Sequence, residues 1–169
     1  IGIFLQPLNI DGYLRSSESI LDSMKDLSSK NKLFCKFHPA TKIEEISSIQ
    51  KKYPYFEMEK EPDNLVLFNK TDVLVTVDST CAIDFFEYAK FLEKPKLIIS
   101  CQFADQINNF LEDYSVKAMS YIAKIATSKH ELVSTIEEFS YGPIIDENTD
   151  NVNTTSSVAR ISEFIDLTI

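Results

Sequence analysis

The stretch 71–100, TDVLVTVDSTCAIDFFEYAKFLEKPKLIIS, constrains the fold more than any other part of the chain. It opens on Val73-Leu74-Val75-Thr76-Val77, an apolar, β-branched run short enough to be a buried strand. Asp78, Ser79 and Thr80 follow, three residues that favour caps and turns. Ala82, Phe85, Phe86, Ala89 and Leu92 then recur at helical spacing on one face. Glu93-Lys94-Pro95 ends that helix, and Leu97-Ile98-Ile99 reads as the next buried strand. The order strand, hydroxyl-bearing turn, helix, strand defines one βαβ unit. Its turn lies at the carboxyl edge of the sheet, where open α/β folds bind ligands. Two readings of the turn stand side by side. Ser79 or Thr80 caps the helix, or the hydroxyls and the free N–H groups of the helix hold an anion, most commonly a phosphate.

The rest of the chain repeats the pattern. Residues 1–7 read as a first strand, and the loop 8–13 places Asn9, Asp11 and Gly12 just past its carboxyl end. Ser16 or Ser17 is expected to cap a helix running to about residue 30, with Ile20, Met24 and Leu27 inward. Residues 32–37 form a second strand that leads directly into His38-Pro39-Ala40. Thr41 and Glu44 have capping-box spacing, and Ile43, Ile46 and Ile49 give the following helix an apolar stripe. A short third strand falls within the acidic run 57–61, and a short helix or turn spans 64–70. Further helices are expected around Phe103, Ile107, Phe110 and Leu111, over 128–139 behind a second box (Ser128 and Glu131), and over 154–167. A sixth strand is expected at 121–126. Such alternation predicts an α/β fold, a doubly wound parallel sheet in one Rossmann-like domain over 1–169.

Size and composition narrow the classes. A chain of 169 residues holds one sizeable core. With 44% hydrophobic and 25% charged residues it has the make-up of a soluble globular protein. No apolar run reaches membrane-spanning length, and the start has neither a signal peptide's basic region nor an initiator Met, so the chain reads as a piece of a longer protein. The net charge of −9 without a basic stripe argues against nucleic acid. Lys51-Lys52 falls late in a predicted helix, where positive charge suits the dipole. Cys35, Cys81 and Cys101 form no metal pattern and are expected to be reduced thiols in a cytoplasmic protein. There is no GxGxxG and no P-loop among only three glycines, so a phosphate must be held by hydroxyls, helix N-termini and a histidine. No metal and no further cofactor is expected.

His38 and Ser79-Thr80 both follow strands and precede helices, so both turns open on one sheet edge. A neutral imidazole donates from one nitrogen and a protonated one adds charge, so His38 suits a phosphate oxygen. Pro39 holds it extended, and Lys36, two residues back on the same strand face, adds charge. A lone strand-end histidine is otherwise a structural residue, and His130 reads as solvated. Lys36-Phe37-His38-Pro39, followed by Thr71 to Thr80, resembles the "HP" and "SS/ST" motif pair of certain GT-B glycosyltransferases. These are the bacterial sialyl- and polysialyltransferases, the capsule Kdo transferases and the CDP-glycerol glycerophosphotransferases. The likeness covers roughly 33–100, and Val158-Ala-Arg-Ile161 resembles the group's usual ending.

The resemblance implies the donor-nucleotide half of a two-domain transferase for bacterial surface polysaccharide. His38 would contact the donor phosphate, while Ser79 and Thr80 bind it from the other side. Lys36, Pro39 and Asp78 complete the substrate-binding set, with His38 and Asp11 as the catalytic candidates. The expected partners are a cytidine nucleotide-sugar donor and a glycan acceptor, with peripheral membrane association through the rest of the enzyme. The glycerophosphotransferases typically carry Asp-Tyr-Ser-Ser where this chain has Val77-Asp78-Ser79-Thr80, which favours a CMP-activated acidic sugar such as sialic acid or Kdo. In the sialyltransferases the base comes from the other domain, so this domain alone is an incomplete enzyme. A CDP-glycerol-type glycerophosphotransferase and a non-catalytic nucleotide-binding or interaction module are the alternatives.

Overall fold

A computed structural model of the chain describes residues 1–8, 13–59, 63–92, 94–103 and 119–141. Its strands are β1 (Gly2–Phe4), β2 (Phe34–Lys36), β3 (Glu57–Glu59), β4 (Val73–Thr76), β5 (Leu97–Cys101) and β6 (Lys124–Ala126). Its helices are α1 (Tyr13–Met24), α2 (Ile43–Lys52), α3 (Asn64–Asn69), α4 (Cys81–Leu92) and α5 (Lys129–Tyr141), with a 3-10 turn at Asp26–Ser29. Among the described residues the strands form one sheet in the order β3-β2-β1-β4-β5-β6, and every pairing is parallel. The fold is α/β and doubly wound, Rossmann-like, as the alternating pattern predicts.

Strand periodicity builds the two layers. Cys35, Ile3, Val75 and Ile99 stand in register across four neighbouring strands, and each is 0% exposed. On their face pack Ile20, Leu21 and Met24 of α1, Ile49 of α2, and Leu132 and Ile136 of α5. The opposite face carries Phe4, Phe34, Leu74 and Ile98, covered by Leu67 and Phe68 of α3 and Ala82 and Phe85 of α4. A parallel sheet covered on both faces needs such near-continuous apolar strands, and β4 and β5 are buried throughout.

Several local expectations shift. Ser16 and Ser17 are not caps; they are buried inside α1, which starts at Tyr13. That helix stops at Met24 and the 3-10 turn carries on, so Ile20, Met24 and Leu27 still point inward. The Thr41–Glu44 box is displaced by one residue. The Thr41 N–H donates to the His38 carbonyl (2.9 Å) in a turn, and the Lys42 N–H donates to Glu45 Oε2 (2.9 Å) instead. Ile43 then sits at the very start of α2 and is 68% exposed, leaving Ile49 as that helix's buried residue. In the second box the Glu131 N–H donates to Ser128 Oγ (3.1 Å). The Glu131 carboxylate reaches back to the N–H and hydroxyl of Thr127, and these bonds hold its pKa below the ordinary carboxylate value. The sixth strand is shorter than expected, and the helix expected around Ile107 and that at 154–167 lie outside the described residues.

At the amino edge of the sheet Lys96 has only 3% of its side chain exposed. Its ammonium donates to the carbonyls of Phe68 (3.3 Å) and Thr71 and lies 5.5 Å from the Phe85 ring centre. A buried lysine must be satisfied in this way, and burial lowers its pKa although Asp72 pulls it up. Among the described residues no helix is long and apolar enough to cross a membrane.

Gly2 is fixed by packing rather than by a turn. A Cβ there would lie 2.7 Å from Phe34 Cζ and 3.0 Å from Phe4 Cε2. Both rings are buried against one another in an edge contact. Gly2→Ala should therefore cost about 1–3 kcal/mol by overpacking. Urea melts of Gly2→Ala, Phe34→Leu and the double variant check this: the double should recover part of the loss, and strict additivity would contradict it.

Candidate functional site

All carboxyl ends of a parallel sheet lie on one edge. Between β1 and β4 the connections leave for opposite faces, α1 to the Ile3 side and α4 to the Phe4 side. A crevice opens where the strand order reverses in this manner. The exit of β4 is braced by two hydroxyls, Thr76 and Ser100, each 0% exposed. Thr76 Oγ1 donates to the Phe4 carbonyl (2.9 Å) and accepts the Ser79 N–H (3.3 Å). Ser100 Oγ donates to the Val77 carbonyl.

The turn divides its work among three residues. Ser79 Oγ accepts the Cys81 N–H (3.3 Å), and its carbonyl accepts the Ala82 N–H (2.9 Å), so Ser79 is the residue that caps α4. Its hydroxyl proton still has a donor role to fill. Thr80 is exposed; its carbonyl accepts the Ile83 N–H (2.9 Å), but among the described residues its hydroxyl makes no capping bond. Asp78 turns the other way. Its Oδ2 accepts the Tyr13 phenol across the crevice at 2.7 Å, tying α1 to the β4 turn. Burial, and after it this bond, push the Tyr13 pKa well above its ordinary value of 10.

His38 stands exposed past β2. The Ala40 N–H donates to its Nδ1 (3.1 Å), which makes Nε2 the proton-bearing nitrogen of the neutral ring. Strand spacing sets the exits of β2 and β4 about 10 Å apart, with β1 between them. Lys36 spans much of that gap. Its Nζ donates to Asn64 Oδ1 (2.6 Å), and Asn64 Nδ2 donates to Cys81 Sγ (3.4 Å) in the first turn of α4.

Of the residues expected from sequence, Lys36, Ser79 and Thr80 come together around the start of α4, with His38 on the same edge. Asp78 faces Tyr13, Pro39 is exposed, and Asp11 lies outside the described residues. Tyr13, Asn64 and Thr76 also belong to the site, through contacts to residues distant in sequence. Local pattern reveals only that Asp63 caps α3 (Leu65 N–H to Asp63 Oδ1, 2.8 Å). Cys35 and Cys101 are buried, and burial pushes both thiols far up; Cys81 is half-buried, and all three are free. Among the described residues no group of three or more His, Cys, Asp or Glu could hold a metal ion.

No family model and no curated protein matches the chain. A solved structure titled "Structure of MT0777" aligns with a TM-score of 0.43 at 16% identity, over 84% of this chain and 98% of that one. A likeness so distant carries no argument, and the site must be read from its own residues.

The Tyr13–Asp78 bond has a pH signature. A phenol whose folded pKa lies above its unfolded value contributes stability below pH ~10, lost as pH rises through the raised value. Tyr13→Phe should cost about 1.5 kcal/mol near pH 7, the low end for a bond to a charged group in a half-buried pair. Urea melts at pH 7, 9 and 11 should show parent and variant converging at the alkaline end. A gap that stays constant would contradict the assignment.

Proposed function

We propose that this chain is the donor-nucleotide-binding domain of a glycosyltransferase that uses a CMP-activated acidic sugar in bacterial surface polysaccharide synthesis. One observation supports the reading above the others. A lysine from the exit of β2 is linked through Asn64 to the first residue of α4, and two residues beyond it His38 offers an Nε2–H donor. Lysine, imidazole N–H, hydroxyls and helix N–H groups suit one phosphate, and the "HP" and "ST" residues of the resemblance are among them. A CMP-sugar has a single phosphate and can be gripped without metal. The domain's share in catalysis would be electrostatic: His38 and Lys36 stabilise the negative charge that grows on the departing CMP phosphate. In this reading the base that activates the acceptor comes from a second domain, with Asp11, between β1 and α1 in sequence, as the local candidate. The enzyme would work in the cytoplasm, at the inner face of the membrane through its other parts, which suits three free thiols.

Titration calorimetry of the chain with CMP, CDP and UMP tests the proposal, which expects a preference for cytidine nucleotides. His38→Ala and Thr80→Ala should each weaken CMP binding by roughly 10- to 150-fold, the value of a hydrogen bond to a charged group. Since Ser79 makes the cap, Thr80→Ala should leave the melting temperature near the parent's. Two contacts to one phosphate should also depart from additivity by more than ~0.5 kcal/mol. Equal affinity for UMP, or a Thr80→Ala variant that binds CMP like the parent, would sink the shared phosphate site.

A further inference from the structure

A grip on the phosphate cannot tell one nucleotide from another, because CMP and UMP carry the same anion. We propose that Gln102, at the exit of β5, is the residue that reads the base. Its amide oxygen accepts the exocyclic amine of cytosine, where uracil presents a carbonyl. The inference rests on the nucleotide reading given above and adds to it the residue that sets its specificity.

Strand register puts Gln102 beside the site. Thr76 pairs with Ser100, so Gln102 stands level with the turn after β4, one strand spacing of about 4.8 Å away. Side chains alternate between the two faces along a strand. Cys101 and Phe103 lie in the layer of Ile3 and Ile99, whereas Ile98 lies in the opposite layer with Ala82 and Phe85 of α4. Ser100 and Gln102 share the parity of Ile98. Gln102 therefore leaves the carboxyl edge on the side of α4. Its backbone is held there: its N–H donates to the Ala126 carbonyl (2.8 Å), and its neighbours Cys101 and Phe103 are both buried. Gln102 itself is half-buried.

The hydroxyl of Ser100 decides which end of the amide points where. A carbonyl only accepts, so Ser100 Oγ spends its one proton on Val77. Toward Gln102 it has only lone pairs to offer, and it accepts from Nε2 at 3.3 Å. Turned over, the amide would set Oε1 against those lone pairs. Oε1 is thereby held as the end turned away from Ser100, and an amide oxygen has two acceptor sites. An amide free to flip pairs with either pyrimidine, accepting from the cytosine amine or donating to the uracil carbonyl. This one is locked in the form that suits cytosine.

Titration calorimetry of the parent chain and its variants with CMP and UMP tests the assignment. The parent should prefer CMP. Gln102→Leu should weaken CMP binding about 3- to 10-fold, the value of one neutral hydrogen bond, and leave UMP binding unchanged. Ser100→Ala keeps Gln102 and removes the lock, so UMP should bind more tightly and the preference should fall. In a Gln102→Leu background the same change should leave the ratio of the two affinities where it is. A folded Ser100→Ala variant that keeps the parent's preference overturns the locked amide; should it fail to fold, Gln102→Leu decides alone. A residue that only supports the exit of β5 would weaken both nucleotides by one factor. A preference for CMP that Gln102→Leu leaves intact therefore overturns the inference and spares the nucleotide reading. A parent that binds CMP and UMP equally, or neither, contradicts that reading, and the inference falls with it.

Discussion

The hydroxyl of Thr76 is the constraint on which the site depends. β1 and β4 lie side by side, yet the chain must leave them toward opposite faces, and that divergence removes the ladder partners of the backbone groups at the strand ends. Thr76 Oγ1 donates to the Phe4 carbonyl and accepts the Ser79 N–H, so one fully buried oxygen satisfies a group from each side. Left unmade, each such buried contact would cost about 1–3 kcal/mol. With it, the turn after β4 has a single path, braced again by Ser100 at Val77. Ser79 then falls where it caps α4, and Asp78 where it meets Tyr13. The crevice is a consequence of strand order, and its shape a consequence of two hydroxyls.

Much of the architecture was legible because it is local. Val73 to Val77 and Leu97 to Ile99 could be little else than buried strands, and the period of Leu132, Ile136 and Phe139 placed α5. The carboxyl-edge position of His38 and Ser79 followed from the alternation of elements alone. What escaped was of two kinds. Cap positions slipped because hydroxyl residues fit several roles. Ser16 and Ser17 look like caps but lie buried in α1, and Thr41 has its N–H in the His38 turn. Partners distant in sequence escaped altogether. Tyr13 and Asp78 are 65 positions apart and Lys36 and Asn64 are 28 apart, and no periodicity reports such pairs.

The electrostatics make sense of an acidic chain that would hold an anion. With 26 acidic and 17 basic residues the whole molecule repels a nucleotide, so attraction must be local. Surface cations elsewhere face carboxylates, as in Lys52 with Glu18 (2.7 Å) and Lys32 with Glu57 (3.1 Å), pairs that contribute little to stability. On the carboxyl edge Lys36 donates to the amide oxygen of Asn64 (2.6 Å). Through Asn64 it is linked to the start of α4, whose N–H groups add positive potential on the same sheet edge.

The central claim is that the exit of β2 and the start of α4 serve one ligand. An NMR titration of the 15N-labelled chain with CMP tests this most directly, because it reports each amide separately. The account predicts that the amides of Ala40 and Thr41 and those of Cys81 and Ala82 shift together along curves giving one shared Kd, while those near Lys96 at the opposite sheet edge stay still. Shifts confined to one of the two turns, or two turns with different Kd values, would contradict it.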